Sequence, residues 1–197
     1  MSKLALVTGA TSGIGAAFAE RLAADGHDLV VVGRRRDRLE QFAAAHTATL
    51  VRAVAADLST DDGIDTVARI CAEEPLDLLV NNAGVAHYMP LAELPADKAR
   101  ELVKVKVLAP TLLARAAVAG MQERGRGAIV NVAGMIAFSG PAPHSQLPRR
   151  ACTPVRSPTW SRCPRPSAPN SKAPACRSRS CARGWSRPSS TSAKDWT

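Results

Sequence analysis

The sequence predicts an α/β fold in which helices cover both faces of a parallel sheet, and three observations lead there. Over the first 134 residues, short apolar runs alternate with amphipathic stretches in the order β-α-β-α-β-α-β-α-β. The apolar runs are nearly continuous, as strands buried on both faces require. The turn between the first strand and the first helix is rich in glycine. Right-handed crossovers convert this order into a doubly wound sheet. The 197 residues suffice for one domain with a sizeable core.

The elements follow in order. "KLALVT" reads as a buried strand, and "SGIGAAFAERLAADG" as a helix that ends at Gly26. "HDLVVVG" is the second strand, and "RRRDRLEQFAAAH" is a helix with its charges on one face. "ATLVRAVAAD" is the third strand. The helix in "STDDGIDTVARICAEEP" takes Ser59 or Thr60 as its N-cap and stops before Pro75. "LDLLVNNAG" is the fourth strand. "PADKARELVKVKVLAPTLLARAAVAGMQERG" reads as one long helix kinked at Pro110, and "GAIVNVAG" is the fifth strand. After Gly140 the periodicity stops, and no internal repeat occurs.

The segment "TGATSGIG", Thr8 to Gly15, joins the first strand to the first helix. A chain turning tightly against a pyrophosphate needs glycine, because a Cβ blocks the approach, and the helix start offers unpaired N–H groups to the phosphates. Gly9, Gly13 and Gly15 take those places. An acid at the end of the second strand would accept from the adenosine ribose and favour NAD. Here "VVVGRRRDRL" has Gly33 at that point, followed by Arg34, Arg35 and Arg36. Guanidinium groups suit a 2′-phosphate, so NADP(H) is expected over NAD(H). The alternative is a solvated basic helix start, which the helix dipole disfavours. Asp57 ends the third strand, either as an acceptor for the adenine amino group or as a helix cap. "NNAG", Asn81 to Gly84, closes the fourth strand. Its amides can stitch strands together, and Gly84 leaves room for a cofactor.

With these motifs in this order, and with "GAIVNVAG" behind them, the sequence resembles the short-chain dehydrogenase/reductases over roughly residues 3–150. The resemblance implies a Rossmann-like subunit, usually homo-oligomeric, that moves a hydride between a nicotinamide and a small alcohol or carbonyl substrate. It implies cofactor contacts at Gly9, Thr11, Ser12, Gly13, Ile14, Gly15, Arg34, Arg35, Asp57, Leu58, Asn82, Ala83 and Gly84. The family's catalytic set is Asn, Ser, Tyr and Lys, with Tyr as the proton donor or acceptor, Lys lowering its pKa, and Ser steadying the substrate oxygen. This chain departs at all four. Lys106 falls at the Asn position and Gly134 at the Ser position, and no Tyr-x-x-x-Lys occurs. The one tyrosine, Tyr88, lies four residues past "NNAG". It is either a substitute proton donor or a plain loop residue. Ser139 offers a displaced serine or a loop hydroxyl. His87 and His144 have no metal partners at ligand spacing, so no metal is expected.

The chain divides at residue 150. Residues 1–150 read as an incomplete NAD(P)-binding domain of about five strands. Residues 151–197 read as a basic Pro/Ser/Arg-rich tail without expected structure. Of the net charge of +9, the tail holds +8, from seven Arg and two Lys against one Asp. The front part therefore needs no nucleic acid to explain its charge. Cys71 is its sole cysteine, the other four being Cys152, Cys163, Cys176 and Cys181, so a reducing compartment fits. The N-terminus enters a strand without an apolar leader, and no run reaches the ~18 apolar residues of a membrane span, so a cytoplasmic protein is expected.

The tail has two readings. One is a polyanion-binding arm. The other is a shifted reading frame. Taking the third base of each codon with the first two of the next, Cys152 to Ser161 permits Tyr-Thr-Gly-Ala-Lys-Ser-Tyr-Val-Val-Ala, which contains Tyr-x-x-x-Lys. Ala182 to Ser186 permits Pro-Gly-Val-Val, at about the family's distance for a Pro-Gly near the nicotinamide. The frameshift reading is preferred. It removes the helix that carries Tyr and Lys and commonly forms the subunit interface. The chain as written is then expected to be inactive, with a non-catalytic NADPH-binding module as the rival reading.

Overall fold

The computed structural model describes residues 3–134. The tail beyond residue 150, with Ser139, His144 and the four distal cysteines, lies outside the described residues. Five strands form one parallel sheet: β1 (Leu4–Thr8), β2 (Asp28–Gly33), β3 (Val51–Ala55), β4 (Leu76–Asn81) and β5 (Ala128–Asn131). Their order is β3-β2-β1-β4-β5, so the chain winds outward from β1 first one way and then the other. The reversal opens a crevice above the carboxyl ends of β1, β2 and β4, where such sheets bind ligands.

Both faces of the sheet are buried, which explains the unbroken apolar runs. Leu6, Val30, Val32 and Leu79 point to one face and pack on α3 (Asp61–Glu73) and α5 (Ala109–Glu123) through Ile64, Val67, Leu113 and Ala117. Ala5, Val7, Leu29, Val31 and Val80 point to the other and meet α1 (Gly13–Ala24) and α2 (Arg36–Ala45) through Ala19, Leu22 and Leu39. The two-residue period of a strand sorts consecutive apolar residues into these two cores. Gly26 ends α1 with φ +78°, as expected of a left-handed helix stop. The α3 cap is Thr60, whose Oγ1 accepts from Gly63 N at 3.1 Å.

The expected long helix is three pieces. α4 (Ala96–Val103) and α5 flank a wide π turn at Lys104–Leu108. Pro110 has no N–H, and its ring presses on the carbonyl four residues back. The chain responds one residue early: Ala109 N donates to Lys104 O, a five-residue step. Thr111 Oγ1 then donates to Val107 O at 2.7 Å. The break is therefore a widened turn before the proline rather than a kink at it. Among the described residues no helix is long and apolar enough to cross a membrane.

Candidate functional site

The glycine loop is built against the end of β4. Gly9 sits at φ +69°, a backbone region that favours glycine, and a Cβ there would lie 2.8 Å from Asn82 Nδ2. A Cβ on Gly15 would overlap both Asn82 Nδ2 and the carbonyl oxygen of Gly9. Asn82 holds the loop in place, donating from Nδ2 to Thr8 O at 3.1 Å and to Gly9 O at 3.3 Å. Behind it, the buried Thr8 hydroxyl donates to Val80 O at 3.3 Å and accepts from Asn82 N at 3.0 Å and Ala83 N at 3.1 Å. One proton and two lone pairs are all used. Asn81 Nδ2 donates to Asn131 Oδ1 at 2.9 Å, the stitch between strands that the sequence suggests.

Above these strand ends lies a cavity of about 430 Å³. Of the residues named from sequence, Gly9, Thr11, Ser12, Arg34, Arg35, Asp57, Leu58, Asn82, Ala83 and Gly84 line it. Gly13, Ile14 and Gly15 do not. They form the first turn of α1 beside it, with Gly15 buried and Ile14 exposed. Ser12 stands at the N-cap of α1, but its side chain makes no cap bond. Its hydroxyl instead faces Arg35, whose Nη2 lies 3.1 Å from Ser12 Oγ, 2.8 Å from Thr11 Oγ1 and 3.1 Å from Thr11 O. Arg34 lines the cavity with Nη1 3.9 Å from Glu101 Oε1. Arg36 turns away to Glu40 as the first residue of α2.

Asp57 is not the cap of α3, a place Thr60 takes, but it braces the turn ahead of that helix. Its Oδ1 accepts from Ser59 N at 2.9 Å, fixing the turn ahead of α3, and the residue also lines the cavity. Among the described residues it is the sole acid lining the cavity.

Lys106, Gly134 and Tyr88, the residues that the resemblance brings into question for catalysis, all lie among the described residues. Lys106 is exposed on the π turn, and its Cε lies 3.9 Å from the Cβ position of Gly84. Gly134 is exposed beyond β5. Tyr88 is 57% exposed and does not line the cavity. His87 is drawn to Glu101, with Nε2 3.2 Å from Oε2. Among the described residues no group of three His, Cys, Asp or Glu side chains could hold a metal. Sequence reasoning assigned no role to Thr8, Val32, Ala56, Val85 or Val105. Thr8 is the hub of the seam, and the other four line the cavity. Thr8 was visible only as the first residue of the glycine motif, because its partners lie more than 70 positions away.

Cys71 is buried on α3, and its thiol is pushed up to about 12 by burial and then by the charge of Glu74. At pH 8 it remains protonated and enclosed, so iodoacetamide is expected to leave it unmodified in the native chain. Peptide mapping by mass spectrometry checks this, with modification expected only after denaturation.

Relatives share this architecture. The family model for the short chain dehydrogenases matches residues 3–145. A 2-dehydro-3-deoxy-D-gluconate 5-dehydrogenase of Formosa agariphila is 32% identical over 143 residues, covering 70% of this chain and 54% of the relative. An L-2,3-butanediol dehydrogenase of Corynebacterium glutamicum is 34% identical over 150 residues, covering 71% and 57%. Among solved structures, a short-chain dehydrogenase of Sphingobium yanoikuyae in complex with NADPH superposes with a TM-score of 0.68 at 36% identity, covering 70% of this chain and 56% of that one. The chain thus spans little more than half the length of these relatives. The glycine loop locked on Asn82, the sheet order and the matched length agree, and the chain belongs to the short chain dehydrogenase family.

Proposed function

We propose that this chain binds NADP(H) in the crevice above β1, β2 and β4 and, as written, does not complete hydride transfer to an alcohol or carbonyl substrate. The observation that carries the cofactor reading is the pair Arg34 and Arg35 lining the cavity, with Gly33 and no acid at the end of β2. The residues fit the group. The first turn of α1 is left without a side-chain cap, so its N–H groups are available to a diphosphate. Arg35 stands over Thr11 and Ser12, where a 2′-phosphate would draw on the same guanidinium. Asp57, which lines the same cavity, would accept from the adenine amino group. When bound, the nicotinamide supplies or takes up the hydride. Proton transfer is the missing half, because Lys106 and Gly134 stand for the family's Asn and Ser and Tyr-x-x-x-Lys is absent.

Titration of NADPH and NADH by cofactor fluorescence tests the reading. NADPH is expected to bind more tightly, and Arg35→Ala to weaken NADPH about tenfold while leaving NADH nearly unchanged. A panel of carbonyl substrates should give binding without NADPH oxidation. Equal affinities for the two cofactors, unmoved by Arg35→Ala, would overturn the preference, and turnover would overturn the inactive state. The polyanion reading of the tail predicts RNA binding that disappears on deletion of residues 151–197. The frameshift reading is tested by the nucleotide sequence around codons 149–153, where an intact frame with no encoded Tyr-x-x-x-Lys nearby sinks it.

A further inference from the structure

The two arginines of the cavity are held differently. Arg35 is hydrogen-bonded to the glycine loop, with Nη2 2.8 Å from Thr11 Oγ1 and 3.1 Å from Ser12 Oγ. Arg34 meets a carboxylate instead. Its Nη1 lies 3.9 Å from Glu101 Oε1, beyond hydrogen-bond reach, so charge alone draws the two together. Glu101 belongs to α4, four residues before Val105, which lines the cavity. Its other oxygen is fixed from behind, with Lys98 Nζ and His87 Nε2 each 3.2 Å from Oε2. Arg34 enters from the end of β2, His87 lies in the loop after β4, and β1 stands between those strands. The pair therefore reaches across the crevice from the β2 side to the β4 side. The arginine is its yielding member, since 61% of the Arg34 side chain is exposed against 16% of Glu101.

We propose that Glu101 competes with the 2′-phosphate of the cofactor for Arg34, and so limits how strongly this chain prefers NADPH over NADH. The inference rests on the NADP(H) reading above and deepens it. A guanidinium drawn towards Glu101 has to swing back over the end of β2 to meet a 2′-phosphate. Breaking the pair is a cost that NADPH bears and NADH, with a hydroxyl in that place, does not. The diphosphate is common to both cofactors, so any effect of Glu101 on it cancels when they are compared. An ion pair this loose and this exposed is worth little, which sets the effect at about threefold.

Fluorescence titration of the full chain with NADPH and with NADH, at pH 7 and low salt, tests the proposal without any turnover. Glu101→Gln removes the charge and keeps a side-chain oxygen for Lys98 and His87. It should raise the ratio of the NADH and NADPH dissociation constants about threefold. In an Arg34→Ala background the same change should lose most of that effect, because competition needs the arginine. Comparing both cofactors on one protein cancels any loss of folded chain. A ratio that Glu101→Gln leaves unchanged or lowers, or raises equally with and without Arg34, overturns the role of Glu101 while the cofactor reading stands. If the wild type binds neither cofactor, or binds both alike whether or not Arg35 is present, the cofactor reading falls and takes this one with it.

Discussion

Gly15→Ala is expected to destabilise the fold by about 3 kcal/mol, near the upper end of what overpacking a tight site costs. The added Cβ would overlap Asn82 Nδ2 and the carbonyl oxygen of Gly9. Neither yields easily. Gly9 O accepts from Asn82, and Gly9 N donates to Val32 O at 2.8 Å, so moving the loop breaks bonds to β4 and β2 together. The first turn of α1 must move with it, and that turn is the proposed phosphate cradle. Stability and NADPH affinity should therefore fall in the same variant. Urea unfolding reads the first through the midpoint at constant slope, and fluorescence titration reads the second. An unchanged midpoint would show that the loop is not packed as described.

Thr8→Val should be nearly as damaging, although it keeps the shape of the side chain and adds apolar character. Removing the hydroxyl strands Asn82 N and Ala83 N, which both donate to it, and takes a donor from Val80 O. Each unsatisfied buried group costs about 1–3 kcal/mol, so a loss of about 3 kcal/mol is expected. Thr8→Ser keeps the hydroxyl and loses one methyl, at about 1 kcal/mol. The order Ser above Val is the test, since hydrophobic burial alone predicts the reverse. Hydrogen exchange should report faster exchange at the Asn82 and Ala83 amides in the valine variant. A valine variant as stable as the serine one would remove Thr8 from its place as hub.

The succession of strands and helices was legible because burial on both faces leaves unbroken apolar runs such as "ALV" in β1 and "LVVV" in β2. Other features were hidden for physical reasons. The apolar content of "VKVKVLAP" reads as continuing helix, and nothing in its spacing announces that the proline ring will widen the turn before it. β4 stops at Asn81 rather than running to Gly84, because the next two amides are taken by a threonine hydroxyl instead of a neighbouring strand. In the site, glycines and arginines declare themselves by type and position. That Arg35 turns onto Thr11 and Ser12 is a tertiary fact, and no local pattern encodes it.

The contact of Arg35 with Thr11 also constrains what Gly33 could become. A Cβ at Gly33 would come within 2.9 Å of Thr11 Cγ2, and Thr11 is pinned by Arg35. A lone Gly33→Asp step towards an unphosphorylated adenosine would meet Thr11 while the arginine still held it, and the new carboxylate would stand beside a cation ready to neutralise it. The productive route removes Arg35 first, frees Thr11 to rotate, and only then admits the acid. A change to an acid at this strand end is therefore a matter of three packed positions, Gly33, Thr11 and Arg35, rather than of one.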